Sequence, residues 1–187
     1  MNKNLKKLNK KLQNYQLPKS KLLVTLKNTI INKYLSDKTS IKYLEEGFIK
    51  ATDIPFVKHI GIKEKEYRLS LDLKKSVCNH VETIHAAAQF TLAETESGMH
   101  LQSLFPELEQ KVIPLLREGK IKYIKPAAMK ITALSCVEEE AVDKFKLQFT
   151  KKGRALLKIK VEIRDSNDIL TSEAQFTWFV QARADQE

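Results

Sequence analysis

Long apolar runs are missing from this chain. Its 187 residues contain no stretch of 18 apolar positions, which excludes a membrane-crossing helix. Cysteine is scarce: Cys78 and Cys136 stand far apart and give neither a disulfide framework nor a zinc-ligand spacing. Five glycines and five prolines exclude a collagen-like, proline-rich or linker-dominated chain. Behind the lysine-rich start there is no apolar stretch ending in a small-residue cleavage site. A cytoplasmic protein without a secretory signal is therefore expected. What is present is 42% hydrophobic and 30% charged residues, the balance of a globular protein.

The net charge of +10 is uneven. Residues 1–50 hold 12 lysines and 3 acids, whereas residues 51–187 hold 21 Lys and Arg against 20 acids. The reading is a basic helical extension over 1–50 and one domain over 51–187. In the extension Leu5, Leu8 and Leu12 recur at helical spacing, and Pro18 ends the run. A second helix is expected from Lys19, with Leu22, Leu23, Leu26, Ile30 and Tyr34 as its stripe. A loop at 36–40 and a short helix at 41–49 follow. A basic segment suits nucleic acid, anionic lipid or an acidic partner. This one has no arginine, the residue that reads bases and phosphates in bidentate fashion, so no specific nucleic-acid contact is expected.

In the domain, residues 56–62 and 66–73 read as strands, the second with Tyr67, Leu69, Leu71 and Leu73 alternating with polar positions. Residues 83–104 read as one long helix. It carries Ala86, Ala87, Ala88 and Ala93 and no charge between Glu82 and Glu94, the composition of a buried helix with neighbours packed close. Residues 105–119 read as a partly helical connection. Strands are expected at 120–124, 130–137, 145–149, 155–164 and 172–181, with a turn at Asp165-Ser166-Asn167-Asp168. The plan is α+β: a mostly antiparallel sheet curled around a central helix, with Phe176 and Trp178 in its core.

Three residues stand out by spacing. Asn79 lies six positions before His85, and Glu94 lies nine after it, within Leu92-Ala93-Glu94. With the order of elements, this segment resembles the hotdog-fold acyl-CoA thioesterases of the phenylacetate-pathway and 4-hydroxybenzoyl-CoA type. The likeness spans about residues 55–182 and includes the closing Phe176-Thr177-Trp178-Phe179-Val180. It departs at one point: the family's His-Gly-Gly is His85-Ala86-Ala87 here, which keeps the backbone N–H donors and adds methyls.

The resemblance implies hydrolysis of an acyl-CoA or acyl-carrier-protein thioester, as in fatty acid metabolism, without metal or organic cofactor. The chemistry agrees. A thioester carbonyl needs donors for its developing oxyanion, which the Ala86 N–H at a helix start supplies, and a carboxylate to activate water or attack, which is Glu94. Asn79 adds an amide donor or positions water. His85, Ala87, Thr95 and Ser97 are candidates to line the substrate.

Ala86 and Glu94 are eight residues apart on one helix, about 12 Å, so they cannot meet at one carbonyl. The site then needs Glu94 from a second subunit, in a homodimer or a dimer of dimers.

The plainer readings stand beside these. Glu94 and Glu96 could be solvated helix glutamates, Asn79 a turn residue, and His85 a structural holder of the helix entry. Ser97 has no base at a recognisable spacing, and His59, His80, His85 and His100 offer no metal-ligand set. A non-catalytic acyl-CoA-binding hotdog module that senses ligand is the alternative function, and a hotdog dehydratase, whose His and acid spacings are absent, a third.

Overall fold

A computed structural model describes residues 51–65, 68–108 and 111–183. The helices and loop expected within 1–50 lie outside the described residues. Six strands form one sheet: β1 (Lys63–Lys65), β2 (Arg68–Leu71), β3 (Val112–Tyr123), β4 (Ile131–Cys136), β5 (Arg154–Asp165) and β6 (Leu170–Ala182). Among the described residues three α-helices accompany them: α1 (Pro55–Ile60), α2 (Ala86–Leu104) and α3 (Glu139–Lys152). The strand order is β1-β2-β4-β5-β6-β3, with every pairing antiparallel.

The last two strands follow the expected alternation. In β5, Ala155, Leu157, Ile159, Val161 and Ile163 are buried, while the residues between them from Arg154 to Glu162 are exposed. The hairpin to β6 turns where expected. Asp165 Oδ1 accepts the N–H groups of Asn167 and Ile169, and Asp168 takes a left-handed conformation at φ 61°.

Three expectations are corrected. Residues 56–62 are not a strand; Pro55 opens α1 and Gly61, at φ 82°, closes it, the proline-start and glycine-stop asymmetry of a helix. Residues 145–149 are not a strand either. They lie in α3, where Ala141, Val142, Phe145 and Phe149 repeat at three to four residues and face the core, while Leu147 is exposed. Glu139 and Glu140 in the first turn and Lys151 and Lys152 in the last suit the helix dipole, and Gly153 caps it at φ 62°. The connection at 105–119 is also strand from Val112 onward, so the strand expected at 120–124 is only the end of β3. Pro114 sits there without disruption because β3 is an edge strand, paired among the described residues only with β6.

Phe145 seals the end of the core. It is fully buried, with its ring 4.5 Å from Phe105 and 5.8 Å from Phe149. Phe145→Ala is expected to lower stability by about 3–5 kcal/mol, the range for emptying a buried aromatic site. Denaturant unfolding measures this; an unchanged midpoint would contradict the packing of α3.

Helix α2 lies on the apolar face of the sheet, against β2, β4, β5 and β6. Close approach explains its small residues: a Cβ at Gly98 would sit 3.2 Å from the Trp178 ring. One stripe remains open. Ala87 is exposed and Phe90, Glu94 and Gly98 are half-buried, at the i, i+3, i+7 and i+11 positions of one helix face. Among the described residues no helix is long and apolar enough to cross a membrane.

Candidate active site

The site begins in the loop before α2, where a bridge between Cys78 and Ile84 closes a tight turn. Asn79 builds that turn. Its Oδ1 accepts the N–H groups of Val81 (3.0 Å) and Thr83 (3.1 Å), and its Nδ2 donates to Thr83 Oγ1 at 2.9 Å. The side chain is thus engaged locally.

His85 is the N-cap of α2. Its N–H donates to Val77 O, and its Nδ1 accepts the Ala87 N–H at 3.0 Å, which matches the structural role for this histidine. Gln89 pins the same entry: Nε2 donates to Ile84 O, and Oε1 accepts the Ser172 hydroxyl on β6.

This capping leaves one donor over. The N–H groups of Ala88 and Gln89 go to His85 O and that of Ala87 to the His85 ring, but among the described residues nothing accepts the Ala86 N–H. Ala86 is exposed at the positive end of a 19-residue helix. The Tyr123 hydroxyl, at the end of β3, donates to Ala86 O at 3.0 Å and holds this turn from outside. Sequence reasoning missed Tyr123, since only the sheet brings it to the helix start.

Glu94 is half-buried on the open stripe of α2. Loss of solvation raises its carboxyl pKa above the usual glutamate value. Thr95 and Ser97, the candidate substrate-lining hydroxyls, are buried and occupied within the fold. Thr95 Oγ1 donates to Thr91 O, and Ser97 Oγ donates to Glu94 O while accepting Trp178 Nε1–H.

Glu96 is not the solvated residue its position beside Glu94 suggested. It is 5% exposed, and both of its oxygens are bonded. Oε2 accepts the Leu69 N–H of β2 at 3.2 Å, and Oε1 accepts the Ser135 hydroxyl of β4 at 2.9 Å; Ser135 Oγ lies 2.7 Å from His100 Nδ1. Burial raises its pKa, with the bonds from Ser135 and Leu69 opposing. A signal existed in the spacing: Gln89, Leu92, Glu96 and His100 share the sheet-facing side of α2.

A family model described only as a domain of unknown function, DUF4442, matches residues 51–180. The chain belongs to the DUF4442 family. No curated protein matches it. Among solved structures, this DUF4442 chain is similar to a Pseudomonas aeruginosa protein described as a probable thioesterase. The TM-score is 0.63 at 19% identity, over 71% of this chain and 91% of that one. A Staphylococcus aureus thioesterase matches at TM-score 0.53 and 16% identity, over 67% and 98% of the two chains. That protein was solved with a Gln replaced by Ala, and separately with a Glu fifteen positions further on replaced by Ala. A Bacillus halodurans protein solved with CoA matches at TM-score 0.52 and 14% identity, over 83% and 99%. These likenesses carry the fold alone. The DUF4442 chain has the hotdog fold, an antiparallel six-stranded sheet around one long helix.

Proposed function

We propose that this protein is a thioesterase that hydrolyses an acyl-CoA or acyl-carrier-protein thioester at the interface of a homodimer. The observation that carries this reading is the unclaimed Ala86 N–H at the start of α2, with a half-buried carboxylate, Glu94, on the open stripe of the same helix. The Ala86 N–H binds the developing oxyanion. Glu94 of the other subunit takes a proton from the attacking water, or attacks the carbonyl itself to form an acyl anhydride that water then hydrolyses to free the acid and the Glu94 carboxylate. The leaving thiolate then collects a proton. Asn79 holds the turn that presents Ala86, and His85 caps it.

Three findings support the reading. Asn79 and Glu94 are fifteen residues apart, the spacing of the Gln and Glu replaced in the Staphylococcus aureus thioesterase. The Bacillus halodurans neighbour was solved with CoA. The dimer has a physical motive too. Edge strand β3 is 12 residues long, and Ile113 and Leu115 on it are 45% and 52% exposed. An open edge of that length invites pairing, and a second copy satisfies it across a two-fold axis.

The test is thiol release from short, long and aromatic acyl-CoAs and from an acyl-carrier protein. Turnover on at least one is expected. Ligand binding without turnover on any would move the reading to the acyl-CoA-sensing module. The pH dependence is a second expected outcome. Glu94 accepts a proton only when ionised, and burial shifts its titration upward, so kcat/KM rises with pH through a midpoint above 4.5, the ordinary value. A rate flat from pH 4.5 to 8 would remove Glu94 from the rate-limiting proton transfer.

A further inference from the structure

We infer that Glu96 is a positioning residue for Glu94: its two hydrogen bonds, to the backbone of β2 and to Ser135 of β4, set the rotation of α2 about its own axis and so the direction in which Glu94 leaves the helix. The inference rests on the thioesterase reading. At 3.6 residues per turn, positions 94 and 96 point about 200° apart, so one faces the sheet as the other faces out. Facing the sheet, Glu96 receives Leu69 N–H on one oxygen and the Ser135 hydroxyl on the other, and its side chain is 5% exposed.

On the same stretch Ser97 accepts Trp178 Nε1–H from β6 and His100 meets Ser135 Oγ, each contact running through a single atom to one strand, whereas Glu96 ties the helix to β2 and β4 at once. Leu92 and Ala93 are buried and apolar, and packing of small apolar groups tolerates axial rotation better than two charge-assisted bonds do. The helix start is fixed separately, through His85 and Gln89. Glu96 thus supplies the two-strand anchor of the stretch that carries Glu94. A buried carboxylate is costly to desolvate and an apolar side chain of similar volume often stabilises as well, so the geometry it imposes is the role that singles it out.

The experiment compares Glu96→Met, Glu96→Gln, Ser135→Ala and Glu94→Gln with wild type, each checked for folding by circular dichroism. Glutamine can keep both anchors, accepting from Leu69 N–H and donating to Ser135 Oγ; methionine keeps volume and loses both. Glu96→Met is expected to lower kcat at least about tenfold with KM within about threefold, as a misaligned reacting group does. Glu96→Gln returns kcat to within about threefold of wild type, and Ser135→Ala falls between.

A second readout does not need turnover. The carboxyl carbon resonance of Glu94 shifts in Glu96→Met and returns in Glu96→Gln, and Ser135→Ala serves if the methionine variant does not fold.

A folded Glu96→Met with wild-type kcat and an unmoved Glu94 resonance would overturn the inference. So would a Glu96→Gln as inactive as Glu94→Gln, since Glu96 would then carry the proton itself. Full activity in Glu94→Gln would instead defeat the thioesterase assignment of Glu94. Turnover on no thioester would defeat that reading, and the resonance would still decide the positioning role.

Discussion

Glu94→Gln is expected to reduce thioester hydrolysis at least about 100-fold, the lower range for removing a general base. The substitution changes little else. Glu94 is half-buried, its side chain makes no ion pair among the described residues, and glutamine fills the same volume. The variant should keep its fold and bind substrate with KM near wild type, because the lost step is proton transfer rather than uniform binding. Thiol release at saturating substrate is the measurement. A variant within about threefold of wild-type kcat would remove the carboxylate from the mechanism, whatever the substrate.

Ala86→Pro is the matching test on the donor side, with an expected loss of about 10² to 10³ in kcat, the range for deleting one oxyanion-hole donor. Proline is a clean deletion here. Ala86 is the first residue of α2, the position that tolerates proline best, and His85 before it holds φ −59° and ψ 143°, the extended conformation a residue before proline adopts. The N–H removed has no acceptor among the described residues, so no internal bond is lost. Unfolding midpoints should therefore match wild type while turnover collapses. Equal turnover would show that the oxyanion is held elsewhere.

Much of this fold was legible in periodicity. The last two strands alternate cleanly because one face of each is buried, and α2 declared itself by a run of alanines without charge. The misreadings have physical causes. Residues 145–149 alternate Phe-Lys-Leu-Gln-Phe, which mimics a strand; the four-residue recurrence of Ala141, Phe145 and Phe149 and the glycine stop at 153 carry the helix instead. Proline and charges hid β3, because an edge strand tolerates both.

At the candidate site, the spacing of Asn79, His85 and Glu94 pointed to the loop and helix on which the proposal rests, and His85 stands at the helix entry as its N-cap. The helix face of Glu96 and His100 was legible in their spacing, but their partners, Ser135 and the backbone of β2, were not, and neither was Tyr123. Each matters through a partner 27 or more residues away in sequence, across a sheet whose register decides the contact.

The most direct test of a site shared between subunits is to mix the two inactive variants. Glu94→Gln chains keep an intact Ala86 N–H, and Ala86→Pro chains keep an intact Glu94. If each site takes one group from each subunit, a hybrid dimer carries one complete site. Equal mixing with subunit exchange should then restore about a quarter of wild-type activity, half the dimers being hybrids with one working site of two. Activity that stays at the level of the separate variants, once exchange is confirmed, would contradict a site built across the interface.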